Sequence, residues 1–129
     1  MIYIVLNLVP ILIATLAGLA IGAVVWRQAA SDAALRRLLP VALVAEFWLA
    51  AILAGALILA PPRGSAWTMA LGSAFVIWIG FVVPALIVTL RVRGVRWRAI
   101  GTDCAHWLAV MLVQAAVMQG WGLIAPPVS

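Results

Sequence analysis

Leu38 to Ala60 reads LLPVALVAEFWLAAILAGALILA, an apolar run interrupted by Pro40 and by one acidic residue, Glu46. A helix rises about 1.5 Å per residue, so roughly 20 apolar residues cross a hydrocarbon core of about 30 Å. This run is long enough to do so. Three further runs meet the same requirement, at about Tyr3 to Trp26, Trp67 to Leu90 and Cys104 to Ile124. The expected fold is therefore an all-α membrane protein, a bundle of four transmembrane helices at about 3–26, 38–60, 67–90 and 104–124. Residues 1–129 then form one transmembrane domain.

The composition supports that class. Of 129 residues 68% are hydrophobic and 9% charged, with a mean hydropathy of +1.27, more apolar side chain than a soluble domain of this size can bury. The net charge of +5 comes from arginines set against Asp32, Glu46 and Asp103. A basic balance raises nucleic acid as a partner, but these arginines lie in short connections between apolar runs, where they face anionic headgroups. No nucleic acid is expected. Cys104 is the only cysteine, which excludes an internal disulfide, a paired-cysteine zinc or redox motif and a covalent haem attachment. The start of the chain is apolar from Ile2 with no basic stretch before it, so the first run is expected to remain as a helix rather than be cleaved as a signal peptide.

The arginines orient the bundle. Arg27, Arg36 and Arg37 occupy the first connection, Arg63 the second, and Arg91, Arg93, Arg96 and Arg98 the third. The positive-inside rule places Arg27 to Arg37 and Arg91 to Thr102 in the cytosol. Met1, the Pro61–Ser65 turn and Ser129 are then extracytosolic, as an even number of spans requires. The expected location is a bacterial inner membrane. Tyr3, Trp67 and Trp121 fall at the outer interface and Trp26, Trp97 and Trp107 at the inner one, where rings that are part polar and part apolar sit well. Trp48 and Trp78 lie deeper.

At 100° per residue each helix carries a small or polar stripe. Asn7, Ala14, Gly18 and Gly22 share one face of the first, with Thr15 at its margin, and the Gly18–Gly22 spacing suits close approach of another helix. Ala42, Glu46, Ala50 and Leu53 align on the second. On the third, Ser73, Gly80 and Pro84 align, and Pro84 removes the donor for the Gly80 carbonyl, which predicts a bend. On the fourth, Asp103, His106, Gln114 and Trp121 align. Gly18, Gly22, Gly80 and Pro84 are the candidate packing positions.

A carboxyl group within hydrocarbon is costly and persists where it is paired or useful. Glu46 lies about 12 Å, Gln114 about 15 Å and Thr15 about 16 Å from the inner boundary by the helical rise. These three make a candidate intramembrane polar site, with a protonated Glu46 hydrogen-bonded to Gln114 or to a backbone carbonyl. Asp103 and His106, three apart, form a candidate pair at the inner mouth. Paired carboxylates in a cleft, a phosphate-binding loop and a catalytic Ser–His–Asp order are all missing from the sequence, and no second strong ligand accompanies His106. No enzyme activity, metal or cofactor is expected.

The run Trp78-Ile79-Gly80-Phe81-Val82-Val83-Pro84, followed by Thr89-Leu90, a basic loop with Trp97, Asp103-Cys104-Ala105-His106 and an apolar helix ending near Trp121, resembles the second half of DUF1761, a family of small bacterial membrane proteins of unknown function. Asn7 and Gly22-Ala23-Val24-Val25-Trp26 resemble its first half. The chain departs from the family after Trp26, where Arg27-Gln28-Ala29-Ala30 replaces an aromatic and a Phe-Gly-like turn. The resemblance implies a four-helix membrane protein with no assigned activity.

The expected role is non-enzymatic. Short loops and small-residue stripes favour action by helix association, as a homo-oligomer or as an accessory subunit of a larger membrane complex. Two alternatives rest on single residues: a proton-coupled transporter or ion pathway using Glu46, and a pigment or haem binder through His106.

Overall fold

The computed structural model describes residues 1–127, so the expected external position of Ser129 lies outside the described residues. These are helical with no strand, and four helices or stacked helical segments are long and apolar enough to cross a membrane. The chain runs α1 (Ile2–Leu6), α2 (Leu8–Trp26), α3 (Asp32–Leu59), α4 (Ala66–Ile77), a π-helical turn (Trp78–Val82), α5 (Val83–Val92) and α6 (Trp97–Trp121). α4, the π turn and α5 together make the third span.

The observed limits differ from the sequence expectation in four places, each for a local reason. The first run is broken at Asn7, whose φ of −116° and ψ of 25° leave the helical region. α3 begins at Asp32 rather than Leu38, because Ser31 caps it: its hydroxyl accepts from the Ala34 N–H at 3.2 Å. Arg36 and Arg37 are thus helical. α6 begins at Trp97 rather than Cys104, so Gly101 and Thr102, expected in a loop, lie in its first turns. It ends at Trp121, where Gly122 takes a φ of +93° that L side chains rarely adopt. Hydropathy marks the part of a helix that sits in hydrocarbon, whereas caps decide where its backbone hydrogen bonds stop.

Pro84 acts through a widened turn. The Val83 N–H donates to the Trp78 carbonyl five residues back, and α5 then starts with Pro84 in its first turn, where a missing N–H matters least. Gly80, expected at a helix contact, is exposed, and a Cβ there would meet nothing within 4 Å. Pro84 is exposed too.

The packed centre is formed by α2, α3 and α6, with α4 leaning on α6. Ile11 and Ala14 of α2, Ala50, Leu53 and Ala54 of α3, and Met111, Ala115 and Met118 of α6 make its apolar core, joined by Ala74 of α4. The many alanines let helix backbones come close, which matters in lipid because apolar burial alone does not drive helices together there.

Candidate functional site

Three helices bring the polar residues together. Glu46 of α3, Gln114 of α6 and Thr15 of α2 are all 0% exposed. Glu46 and Gln114 meet at Gly18. A Cβ built on Gly18 would lie 2.5 Å from Glu46 Oε1, 2.9 Å from Gln114 Nε2 and 3.1 Å from Val110 Cγ1. Gly18 therefore makes room for two polar side chains rather than for a neighbouring backbone. Of the three residues expected at one depth, Glu46 and Gln114 lie against Gly18.

Their bonding differs from the expectation. Neither carboxyl oxygen of Glu46 and neither amide atom of Gln114 has a hydrogen-bond partner. Thr15 is engaged elsewhere, its hydroxyl donating to the Ile11 carbonyl at 2.8 Å, one turn back in its own helix. A buried polar group without a partner is costly, by about 1–3 kcal/mol. The centre of the bundle thus holds two complementary groups in close approach that leave each other's hydrogen-bonding capacity unused.

Gly22 is also occupied differently from the expected helix crossing. A Cβ there would lie 2.6 Å from the indole of Trp26, one turn on in the same helix. The missing side chain lets that indole fold back against α2, and its ring meets the His106 imidazole at 5.4 Å between centroids and 54°. The adjacent Trp107 indole stands nearly perpendicular to the imidazole, at 5.1 Å between centroids and 72°. His106 is 6% exposed and both its nitrogens lack a partner. The expected hydrogen bond from His106 to Asp103 is not formed: facing positions three apart permit the contact, but the indoles set where the imidazole lies.

Two further anchors were not legible as sites. Asn7 is 1% exposed and ties the segment after α6 to the break between α1 and α2. Its Nδ2 donates to the Ile124 carbonyl at 2.7 Å and to the Tyr3 carbonyl at 2.9 Å, while its Oδ1 accepts from the Ile124 N–H at 2.6 Å. An Asn inside an apolar run was the only signal. Trp78 Nε1 donates to the Cys104 carbonyl at 2.8 Å, joining the π turn to α6. A π turn has no sequence signature beyond the nearby Pro84. At the α1 end of the bundle, Tyr3 packs on Gly55 and its hydroxyl donates to the Ala51 carbonyl at 3.0 Å.

Among the described residues no group of three or more His, Cys, Asp and Glu side chains could hold a metal. The class defined here is a multi-pass helical membrane bundle with a buried carboxyl–amide centre. Compared with family models, curated proteins and solved structures, the chain matches none. Its own residues therefore carry the functional argument.

Proposed function

We propose that this chain is a non-enzymatic protein of the bacterial inner membrane that acts by helix association, through the outer face of its third span. One observation carries the reading. Only 6% of the most apolar window of Ala66–Val92 is buried, against 33% for each of the other three spans. The third span is a peripheral arm on a three-helix centre, and its free face is not uniformly bulky. Gly72 and Gly80 are exposed with open space where a Cβ would stand, and they lie about two turns apart. At Gly72 a groove of about 510 Å³ runs between this span and Ala56 of α3, lined also by Ser73, Met69 and Val76. Small residues and shallow grooves are what transmembrane helices use to approach one another.

The arginine distribution supports cytosolic first and third connections, with the chain start outside. The likeness to DUF1761 adds the four-span plan and the bacterial setting, and the association through the third span does not depend on it. Extraction in mild detergents, followed by native mass spectrometry, tests the association. The expected result is a homo-oligomer or a complex with other membrane subunits that Gly72→Leu and Gly80→Leu disperse. A monomer without partners across several detergents and in lipid nanodiscs overturns it.

A second reading, a proton-coupled pathway through Glu46, has the unpartnered carboxyl in its favour. Flux in proteoliposomes should then be abolished by Glu46→Gln, and equal flux in both forms removes this reading.

A further inference from the structure

Glu46 and Gln114 end against the same glycine from two different helices, fully enclosed, with four polar atoms unpaired. Their chemistry matches in one protonation state only. A carboxylic acid carries one O–H donor beside a carbonyl acceptor, and a primary amide carries an N–H donor beside a carbonyl acceptor. Set face to face, acid and amide close a ring of two hydrogen bonds. A carboxylate has acceptors alone, so it can take the amide N–H but turns a negative charge toward the amide oxygen.

We propose that Glu46 is a proton-binding site in the bilayer interior, and that its bound proton closes an acid–amide latch between α3 and α6 across Gly18. The terminal torsions of Glu and Gln are broad and roughly two-fold, so rotation of the two head groups brings them into register without moving the helices. Gly18 leaves no space for a larger occupant, since even a methyl group there would overlap the carboxyl oxygen. The proton is the ligand that fits.

The surroundings leave this proton as the means of balancing the charge. α2 contributes no ionisable side chain, and its Thr15 hydroxyl is bound to Ile11. α1 contributes Tyr3, whose hydroxyl is bound to Ala51. α4 and the π turn carry no ionisable side chain, and α5 carries Arg91 near its far end. α6 contributes Arg98, exposed in its first turn, and Asp103, Cys104 and His106, with His106 two turns from Gln114 and the fully buried Val110 midway between them. Within α3 itself Asp32, Arg36 and Arg37 are exposed near its start, and every arginine of the chain is exposed. A carboxylate at position 46 would have neither an ion partner nor a matched amide. The latch is closed while Glu46 holds its proton and opens as rising pH removes it, loosening the contact between the second and fourth spans. This inference stands apart from association through the third span.

Infrared difference spectroscopy of the full chain in lipid nanodiscs, titrated in pH, reads the site directly. The expected result is a protonated-carboxyl band that is missing in Glu46→Gln and shifts in Gln114→Leu, where the amide partner is gone. The thermal midpoint of the wild type should fall over the pH range in which that band disappears. Glu46→Gln should hold a midpoint independent of pH there, because two amides make the same pair of bonds without a titrating proton. His106→Gln should keep the wild-type pH dependence, which separates the latch from titration of the imidazole. If Glu46→Gln fails to fold, the wild-type band and its shift in Gln114→Leu decide alone. Absence of the band at every pH where the protein is folded, an unshifted band in Gln114→Leu, or a wild-type pH profile in Glu46→Gln overturns the proposal.

Discussion

Gly18→Ala is the smallest change that tests how the centre of the bundle is built. The added methyl would stand 2.5 Å from Glu46 Oε1, 2.9 Å from Gln114 Nε2 and 3.1 Å from Val110 Cγ1, so all three neighbours must give way. The two polar groups are ends of flexible side chains but are wholly buried, so displacing them away from Gly18, unlike rotating their head groups in place, presses on α3 and α6. Overpacking of this kind costs about 1–3 kcal/mol, while Ala is favoured over Gly inside a helix by about 0.8–1.0 kcal/mol. The net expectation is a loss of about 1 kcal/mol, and a larger loss for Gly18→Leu. Gly101→Ala provides the reference, because Gly101 is helical and exposed with nothing within 4 Å of its Cβ position. It should be neutral or slightly stabilising. Reversible unfolding in mixed micelles measures both, and a double-mutant cycle with Glu46→Ala measures their cause. Removing Oε1 should recover at least about 0.5 kcal/mol of the Gly18→Ala cost, the size expected for side chains in contact. Equal effects of Gly18→Ala and Gly101→Ala, with no coupling to Glu46, would refute the reasoning.

Three other outcomes are expected. Gly22→Ala should displace the Trp26 indole from its place against α2, shifting tryptophan emission to the red; the same substitution in a Trp26→Ala background should be tolerated, and unchanged emission in the single variant would count against the packing described. Asn7→Ala removes three hydrogen bonds and orphans the Ile124 N–H, so it should destabilise the protein by roughly 1–3 kcal/mol and make the segment after Trp121 more sensitive to protease; wild-type resistance there would show that the clamp contributes nothing. An impermeant maleimide should label Ser65→Cys but not Ser31→Cys in intact cells, and the opposite pattern would invert the proposed topology.

The sequence by itself determined the number of spans, because about 20 apolar residues leave few ways to satisfy backbone hydrogen bonds in lipid other than a helix. Helical rise, which converts residue number into height, also gave Glu46, Gln114 and Thr15 similar expected depths. The Ser31 cap is local, its hydroxyl accepting from the Ala34 N–H three residues on, so it moved the start of α3 without any help from packing. The occupants of each small-residue gap were not legible. Gly18 and Gly22 look alike in a helical projection, yet one holds the carboxyl and amide ends from α3 and α6 and the other holds the indole of its own helix. Asp103 and His106 share a face without bonding, because Trp26 and Trp107 fix the imidazole from elsewhere. Gly80 shares the helical spacing expected of a contact and stands open, because α4 leans on α6 along its Ala70–Ala74 side and the third span turns the rest of its surface outward. Rise along a helix is a property of one chain segment and can be counted from residue numbers. The rotation of a helix about its axis, and therefore which side chain enters which gap, is settled only when the helices pack against one another.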